Sequence, residues 1–257
     1  MLPMVVHSNG WGIQSWTIHN MVIFGELPPF DATIFADTGH EASWTYDFAR
    51  RWTPYLENHD INVVTVRSED VRVVTDKHGG QILIPAFTTS DSKTGGRLRR
   101  QCTDDWKIKP IRRWLQEHRG KRQPVELWLG ISLDEVQRMK ESGVGYITNR
   151  WPLIEKRMTR ADCVTWLERH GLEVPQKSSC TFCPFHDRRA WHEIKASNSG
   201  DWAAAVQMDA AIRLVRPPFP LFLHQSCRPL SLVDFSTPEE RGQYNLWGEE
   251  CAGICGV

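Results

Sequence analysis

The hydrophobic positions of this chain alternate between two periods. Leu2 to His7 is a short apolar run, interrupted by Ser8-Asn9-Gly10-Trp11-Gly12-Ile13-Gln14-Ser15, after which Ile18, Met21, Val22 and Phe24 recur at helical spacing. The pattern predicts a strand, a glycine-containing loop and a helix. Asp31 to Ala36 predicts a second strand, ending at Asp37-Thr38-Gly39-His40-Glu41 before a helix from about Ala42 to Asn58, and Ile61 to Val66 predicts a third strand. From Asp76 to Gly96 the periodicity is lost and Gly, Ser, Thr and Asp gather, as expected of a long loop or small hairpin able to act as a lid. A helix from Thr103 to His118 and a strand from Val125 to Leu129 come next, the latter leading through Gly130 into a short helix. Asn149 to Glu155 reads as extended, because the residue before Pro152 avoids helical backbone. Thr159-Arg160-Ala161-Asp162 has the form of a capping box and opens a helix to about His170, stopped by Gly171. Asp187 to Ala196 and Asp201 to Val215 read as helices, Pro217, Pro218 and Pro220 as a linker, and the remainder as an irregular tail.

Strands alternating with helices define an α/β chain, with a parallel sheet covered on both faces and ligands at the carboxyl ends of the strands. We expect residues 1–195 to form this α/β domain, including the C-x-x-C turn at Cys180 and Cys183, and residues 196–257 to form a helical and irregular C-terminal region.

Composition narrows the function classes. The 257 residues can bury a substantial core, and 31 Lys and Arg balance 31 Asp and Glu, so the whole molecule is no polyanion magnet. Locally the balance is different: Lys93 to Arg122 carries 11 Lys or Arg against 3 acids. That run suits the phosphates of a nucleotide or nucleic acid, or equally a solvated helix face. No apolar run is long enough to span a bilayer and Met1 to His7 is too short for a secretory signal, so the expectation is a cytoplasmic protein without a membrane partner. Seven cysteines, odd in number and partly clustered, fit reduced thiols and a metal site better than a disulfide framework.

The candidate chemistry lies at the predicted strand ends. A loop feeding a helix N-terminus exposes backbone amides beside the positive end of the helix dipole, which makes Ser8 to Ser15 a candidate phosphate cradle. Asp37 and Glu41 fall near it, placed to hold Mg2+ or a ribose, unless Asp37 or Thr38 simply caps the next helix. Cys180-Thr181-Phe182-Cys183-Pro184 aims two sulfurs at one point, as a soft metal centre requires, and Cys102 is the best candidate for a third ligand. Two buried thiols or a redox pair would also account for the motif. Cys163, inside a predicted helix, reads as a buried structural thiol.

Taken in order, these pieces resemble the phosphoadenosine phosphosulfate (PAPS) reductase-like branch of the adenine nucleotide alpha-hydrolases, the PP-loop ATP pyrophosphatases. Ser8 to Ser15 resembles the pyrophosphate loop, Asp37 to Glu41 the second motif, and Cys102 with Lys107 and Pro110 a cysteine-lysine-proline segment. Gly130 to Arg138 and Trp151-Pro152-Leu153-Ile154 also fit, and the likeness extends over residues 4 to 195.

The resemblance implies a five-stranded parallel sheet binding ATP or a sulfonucleotide. On it, Ser8, Asn9, Gly10, Gly12, Gln14, Ser15, Asp37, Thr38, Gly39, Glu41, Gly130 and Asp134 are the expected nucleotide-binding residues, with Mg2+ as a possible companion ion. Lys107, Arg112 or Arg138 would offset developing negative charge. Cys102, Cys180 and Cys183 are the expected ligands of a 4Fe-4S cluster, with zinc as the alternative metal and either Cys255, Cys251 or Cys227 as a fourth ligand or one iron left open. The chain departs from the usual loop in two places: Gln14 brings no charge to Mg2+, and Trp11 adds bulk where glycine allows close approach.

The leading function is adenylation with pyrophosphate release, coupled to iron-sulfur-associated sulfur transfer or nucleic-acid modification. Its partners would be an adenine nucleotide, a nucleic-acid substrate and a sulfur or electron donor protein. The alternatives are a sulfonucleotide reductase with Cys251 as nucleophile, and a catalytically silent nucleotide-binding module.

Overall fold

The structure, a computed structural model, describes residues 2–75, 81–89, 96–197, 199–215, 219–238 and 240–241. Strand β1 (Met4–Asn9) is the axis of the fold. Val6 and His7 are both fully buried, as expected of a parallel strand covered on two faces. After it come α1 (Ile13–Ile23), β2 (Ala32–Asp37), α2 (Ser43–Glu57) and β3 (Val63–Arg67). Four two-residue strands are next: β4 (Val74–Thr75), β5 (Gln81–Ile82), β6 (Phe87–Thr88) and β7 (Gly96–Arg97). A π-helical stretch, Asp104–Ile108, runs into α3 (Lys109–His118), succeeded by β8 (Val125–Leu129) and a 3-10 turn at Leu133–Arg138. The chain continues through β9 (Ile147–Arg150), α4 (Pro152–Glu155), α5 (Arg160–Arg169), α6 (Arg188–Ala196), α7 (Asp201–Arg213) and β10 (Leu221–Phe222).

The main sheet has five strands in the order β3-β2-β1-β8-β9, all parallel, as the α/β reading expected. From β1 the chain first builds outward through β2 and β3, then crosses back to add β8 and β9 on the other side. The order therefore reverses between β1 and β8, where Ser8 pairs with Leu129. In open parallel sheets the loops diverge at such a switch point and leave a crevice beyond the strand ends.

The sequence expectation fails at Asn149 to Glu155. Only the first part is extended, as β9, and Pro152 opens the short helix α4. Proline is well suited there, because the first helical residue has no intrahelical use for its N–H. Trp151, with φ −127° and ψ 78°, stays out of the helix, as a residue before proline should. The capping box is present: Thr159 Oγ1 accepts the Asp162 N–H at 3.2 Å, and Asp162 accepts the Thr159 N–H at 2.8 Å. Cys163 is fully buried, as expected.

Two apolar cores flank the sheet's functional edge. One packs Trp11, Trp16, Phe48 and Trp128 around α1 and α2. The other joins Ile84, Trp106 and Phe182 to Trp191, Ile212, Leu221 and Phe235, so the C-terminal helices share a core with the segment preceding α3. β10 pairs antiparallel with β6, which pairs with β7. Asp209, buried on α7, organises this region: its carboxylate accepts the N–H groups of Leu223 and Leu230, each at 2.9 Å, and pairs with Arg213. No helix among the described residues is long and apolar enough to cross a membrane.

Beneath β1 lies a sealed polar group. His7 Nδ1 is 3.0 Å from His19 Nε2 and from Thr33 Oγ1, and all three side chains are fully buried. Burial holds His7 down to about 3 and His19 well below the usual imidazole range, with His7 adding to the effect on His19. Both are therefore neutral in the native state at pH 7, while the unfolded chain protonates them near 6.5.

Since only the unfolded state takes up these protons below pH 6.5, stability should fall with acidification, by about 2 kcal/mol per histidine at pH 5. Urea unfolding at pH 7 and pH 5 checks this; equal midpoints would contradict it. Asp209→Asn replaces an acceptor with a donor facing an N–H group. It should lower stability by roughly 2–3 kcal/mol, measurable by the same denaturation.

Candidate functional site

A cleft of about 940 Å³ opens at the carboxyl ends of β1 and β8, where the strand order reverses. Its floor is the loop from Asn9 to Ser15. Asn9 Oδ1 accepts the Trp11 N–H at 2.7 Å, and Ser15 Oγ accepts the Gly10 N–H at 3.2 Å, so both ends of the loop are tied. Trp11 adopts a left-handed backbone, φ 53°, and is only 2% exposed. Its ring packs toward Phe48 and His19 rather than lining the cleft. The expected crowding by Trp11 is therefore absent, because the unusual φ sends the bulk into the core.

Gly12 precedes α1 in extended conformation and offers no side-chain cap, and the first turn of α1 contains no acid. The amides and positive end of the helix dipole are thus left for an external anion. Asn9 adds to this. It is 5% exposed and lines the cleft, yet its Nδ2 has no hydrogen-bond partner. A buried donor in this state calls for an oxygen from a ligand or solvent. Seven cationic side chains line the same cleft (Arg100, Lys107, Arg112, Arg138, Lys140, Arg160 and Lys177) against two acids, Glu135 and Glu141.

The second motif serves a different purpose. Asp37 Oδ1 accepts the Gly39 N–H at 2.7 Å and the Tyr46 hydroxyl at 2.6 Å, fixing a tight turn. Burial, reinforced by Asp37, pushes the Tyr46 phenol up, so it remains a donor. Gly39 has φ +70°, and a Cβ there would overlap the Arg67 guanidinium. Beyond the turn, Glu41 is buried and accepts from Lys107 Nζ at 2.9 Å and Thr38 Oγ1 at 3.1 Å. Burial opposes the charge on Lys107, but Glu41 and the neighbouring Cys180 outweigh it and raise the ammonium.

The C-x-x-C turn docks on this motif through backbone bonds, Ala42 N–H to Ser179 O at 2.9 Å and Thr181 N–H to His40 O at 2.8 Å. Cys180 Sγ then stands 3.6 Å from Thr38 Oγ1 and 3.9 Å from Glu41 Oε1. Burial, then Glu41, pushes the Cys180 thiol up, and burial also raises Cys183. The stretch entering the turn packs on the Asn9 to Ser15 loop: a Cβ on Gly12 would lie 2.8 Å from Ser178 Oγ.

The structure gathers most of the residues singled out by sequence. Ser8, Asn9, Gly10, Gly12, Gln14, Ser15, Thr38 and Gly130 line the cleft, as do Lys107, Arg138, Cys102, Cys180 and Cys183. Asp37, Gly39, Glu41 and Asp134 do not line it. The first three build the turn and hold Lys107, while Asp134 accepts the Arg160 N–H at 2.9 Å where α5 begins. Cys251 and Cys255 lie outside the described residues. Glu135 fell within the Gly130 to Arg138 stretch but was assigned no role, yet Gln14 Nε2 donates to it at 3.3 Å and Arg138 donates to it at 2.6 Å. A carboxylate thus reaches the place where Gln14 itself brings no charge. Arg160, Lys140 and Trp106 were likewise unmarked, since only the crossover to β8 and β9 and the turn before α3 bring them here.

Three thiols on one cleft have the donor chemistry of an iron-sulfur or zinc site. Among the described residues, however, no three His, Cys, Asp or Glu side chains are grouped so as to hold a metal ion.

Fold and site together define an α/β protein with a cation-lined cleft at a topological switch point. No family model matches the chain, and no curated protein matches it. Among solved structures it is similar to phosphoadenylyl-sulfate (PAPS) reductase from Candida auris in a phosphate complex. The TM-score is 0.44 with 16% identity over 68% of this chain and 76% of that one, too distant a likeness to bear on function.

Gly39→Ala should destabilise the protein by roughly 1–2 kcal/mol from the left-handed backbone alone. Displacement of Arg67 should add to that loss. Thermal or urea denaturation tests it, and an unchanged midpoint would show that the turn relaxes freely.

Proposed function

We propose that this protein binds ATP through its phosphates and catalyses substitution at the α-phosphorus, releasing pyrophosphate and passing the adenylyl group to an acceptor. The observation that supports this reading is the convergence at the end of β1 of an uncapped helix N-terminus, the orphan Asn9 donor and a preponderance of cations.

In this reading the loop amides and the first turn of α1 hold the β- and γ-phosphates, with Asn9 Nδ2 donating to a phosphate oxygen. An acceptor oxygen attacks the α-phosphorus; the bond to the bridging oxygen breaks, pyrophosphate leaves toward the loop, and the acceptor proton passes to solvent. Lys107 and Arg138 stabilise charge on the transferring and leaving oxygens. Glu41 keeps Lys107 charged and oriented at 2.9 Å, so the ammonium needs no reorganisation during the reaction. No step is routed through a metal. The reductase alternative depends on Cys251, outside the described residues, and gains no separate support.

With ATP labelled at the α-phosphate, the expected products are AMP or an adenylated acceptor, together with pyrophosphate. Lys107→Ala should reduce the rate at least ~100-fold, as loss of one preorganised charge does elsewhere. Asn9→Asp, nearly isosteric, turns the orphan donor into an anion and should weaken ATP binding by about tenfold or more. Formation of ADP and phosphate, or no binding of ATP by the wild type, would overturn the reading.

A further inference from the structure

Phe185 comes directly after the proline that closes the C-x-x-C turn, lines the cleft, and is 40% exposed. Its backbone is firmly held. Cys183 N–H donates to Cys180 O and His186 N–H to Cys183 O, both at 3.1 Å, and the buried His186 ring lies 2.8 Å from Cys180 O through Nε2. The phenyl group is therefore presented to solvent by a rigid turn rather than by a loose loop.

Two guanidinium groups attend the ring: Arg97 Cζ is 4.8 Å and Arg100 Cζ 5.4 Å from its centre. Neither has a carboxylate partner among the described residues. Cation–π contact steadies each charge but does not neutralise it. Two such cations beside one ring repel each other until an anion arrives. The cleft they adjoin carries a cationic excess beside the phosphate loop, to which Arg100 itself contributes.

We infer that Phe185, Arg97 and Arg100 form a stacking shelf for an unpaired base of a single-stranded nucleic acid, which is the acceptor of the reaction proposed above and rests on that reading. Every base has a π-face able to lie on the phenyl ring, and the phosphates flanking it satisfy the two guanidinium groups. A duplex keeps its bases stacked internally and offers none to the shelf. The turn that carries Phe185 also carries Cys180 and Cys183, so a base held there lies beside the thiols.

The test measures fluorescence anisotropy of a short labelled single strand, with its duplex as control, and ATP affinity on the same preparations by calorimetry. Wild type should bind the single strand in preference to the duplex, more weakly as salt rises. Phe185→Ala should weaken single-strand binding about tenfold, Phe185→Tyr should largely restore it, and ATP affinity should stay unchanged in both. Arg97→Ala should lower the salt dependence by about one phosphate contact. Absence of single-strand binding, equal binding by Phe185→Ala, or duplex preference would overturn the shelf while leaving the ATP reading intact. A parallel loss of ATP affinity in Phe185→Ala would also overturn it, assigning the ring to the base of ATP. Strand binding without any ATP binding would sink the earlier reading instead.

Discussion

The arrangement of this protein's cleft depends on one docking event, the pairing of the C-x-x-C turn with the loop after β2. Backbone bonds at 2.9 Å and 2.8 Å join Ser179 to Ala42 and His40 to Thr181, forming an isolated antiparallel bridge between Glu41 and Cys180. The two segments are separated by well over a hundred residues, so closing that loop carries a large entropic cost. Burial on both sides offsets it: Phe182 inserts into the second core beside Trp106 and Trp191, and His40 packs against both Trp106 and Phe182. Buried Glu41 completes the contact by accepting from Lys107. An unpaired carboxylate there would be costly, so the docked turn and the lysine are mutually required.

The π-helical stretch before α3 fits the same logic. A π turn adds a residue to one helical turn and redirects the side chains beyond it. Over Asp104–Ile108 it leaves Trp106 buried in the second core and Lys107 reaching Glu41 at the cleft. Neighbouring residues thus serve packing and electrostatics in turn. The loop before α1, the acid-anchored lysine and the thiol turn meet because three separate connections all end at the same edge of the sheet.

A chain with no net charge contains a strongly cationic cleft, and the balance comes from segregation. Many other basic residues are neutralised close at hand, as Arg113 is by Glu69 and Glu117, and Arg150 by Glu126 and Glu155. Low-dielectric walls of buried tryptophan and isoleucine strengthen the field of the cations left facing the cleft. Glu135 is the internal counterweight, holding Gln14 and Arg138 together at the rim.

Much of this was legible in the sequence, because strand-loop-helix periodicity is local. The parallel α/β architecture, the strand-loop-helix unit around Ser8 to Ser15, the capping box at Thr159 and the buried Cys163 all rest on spacing and residue type within a few residues of each other. Pro152 was misjudged for the same reason: its effect on the preceding residue was read correctly, but its suitability as a first helical residue depended on where β9 ended. Tertiary structure alone decided the pairings across long separations. Asp37 and Glu41, expected beside the nucleotide, became the anchor for a distant turn and a lysine. Trp11 turned inward because a core was waiting for it, and Glu135, given no role by local pattern, arrived next to Gln14. Local patterns report the elements each segment can form; which charges and sulfurs face one another is set by long-range burial, whose energy no short stretch contains.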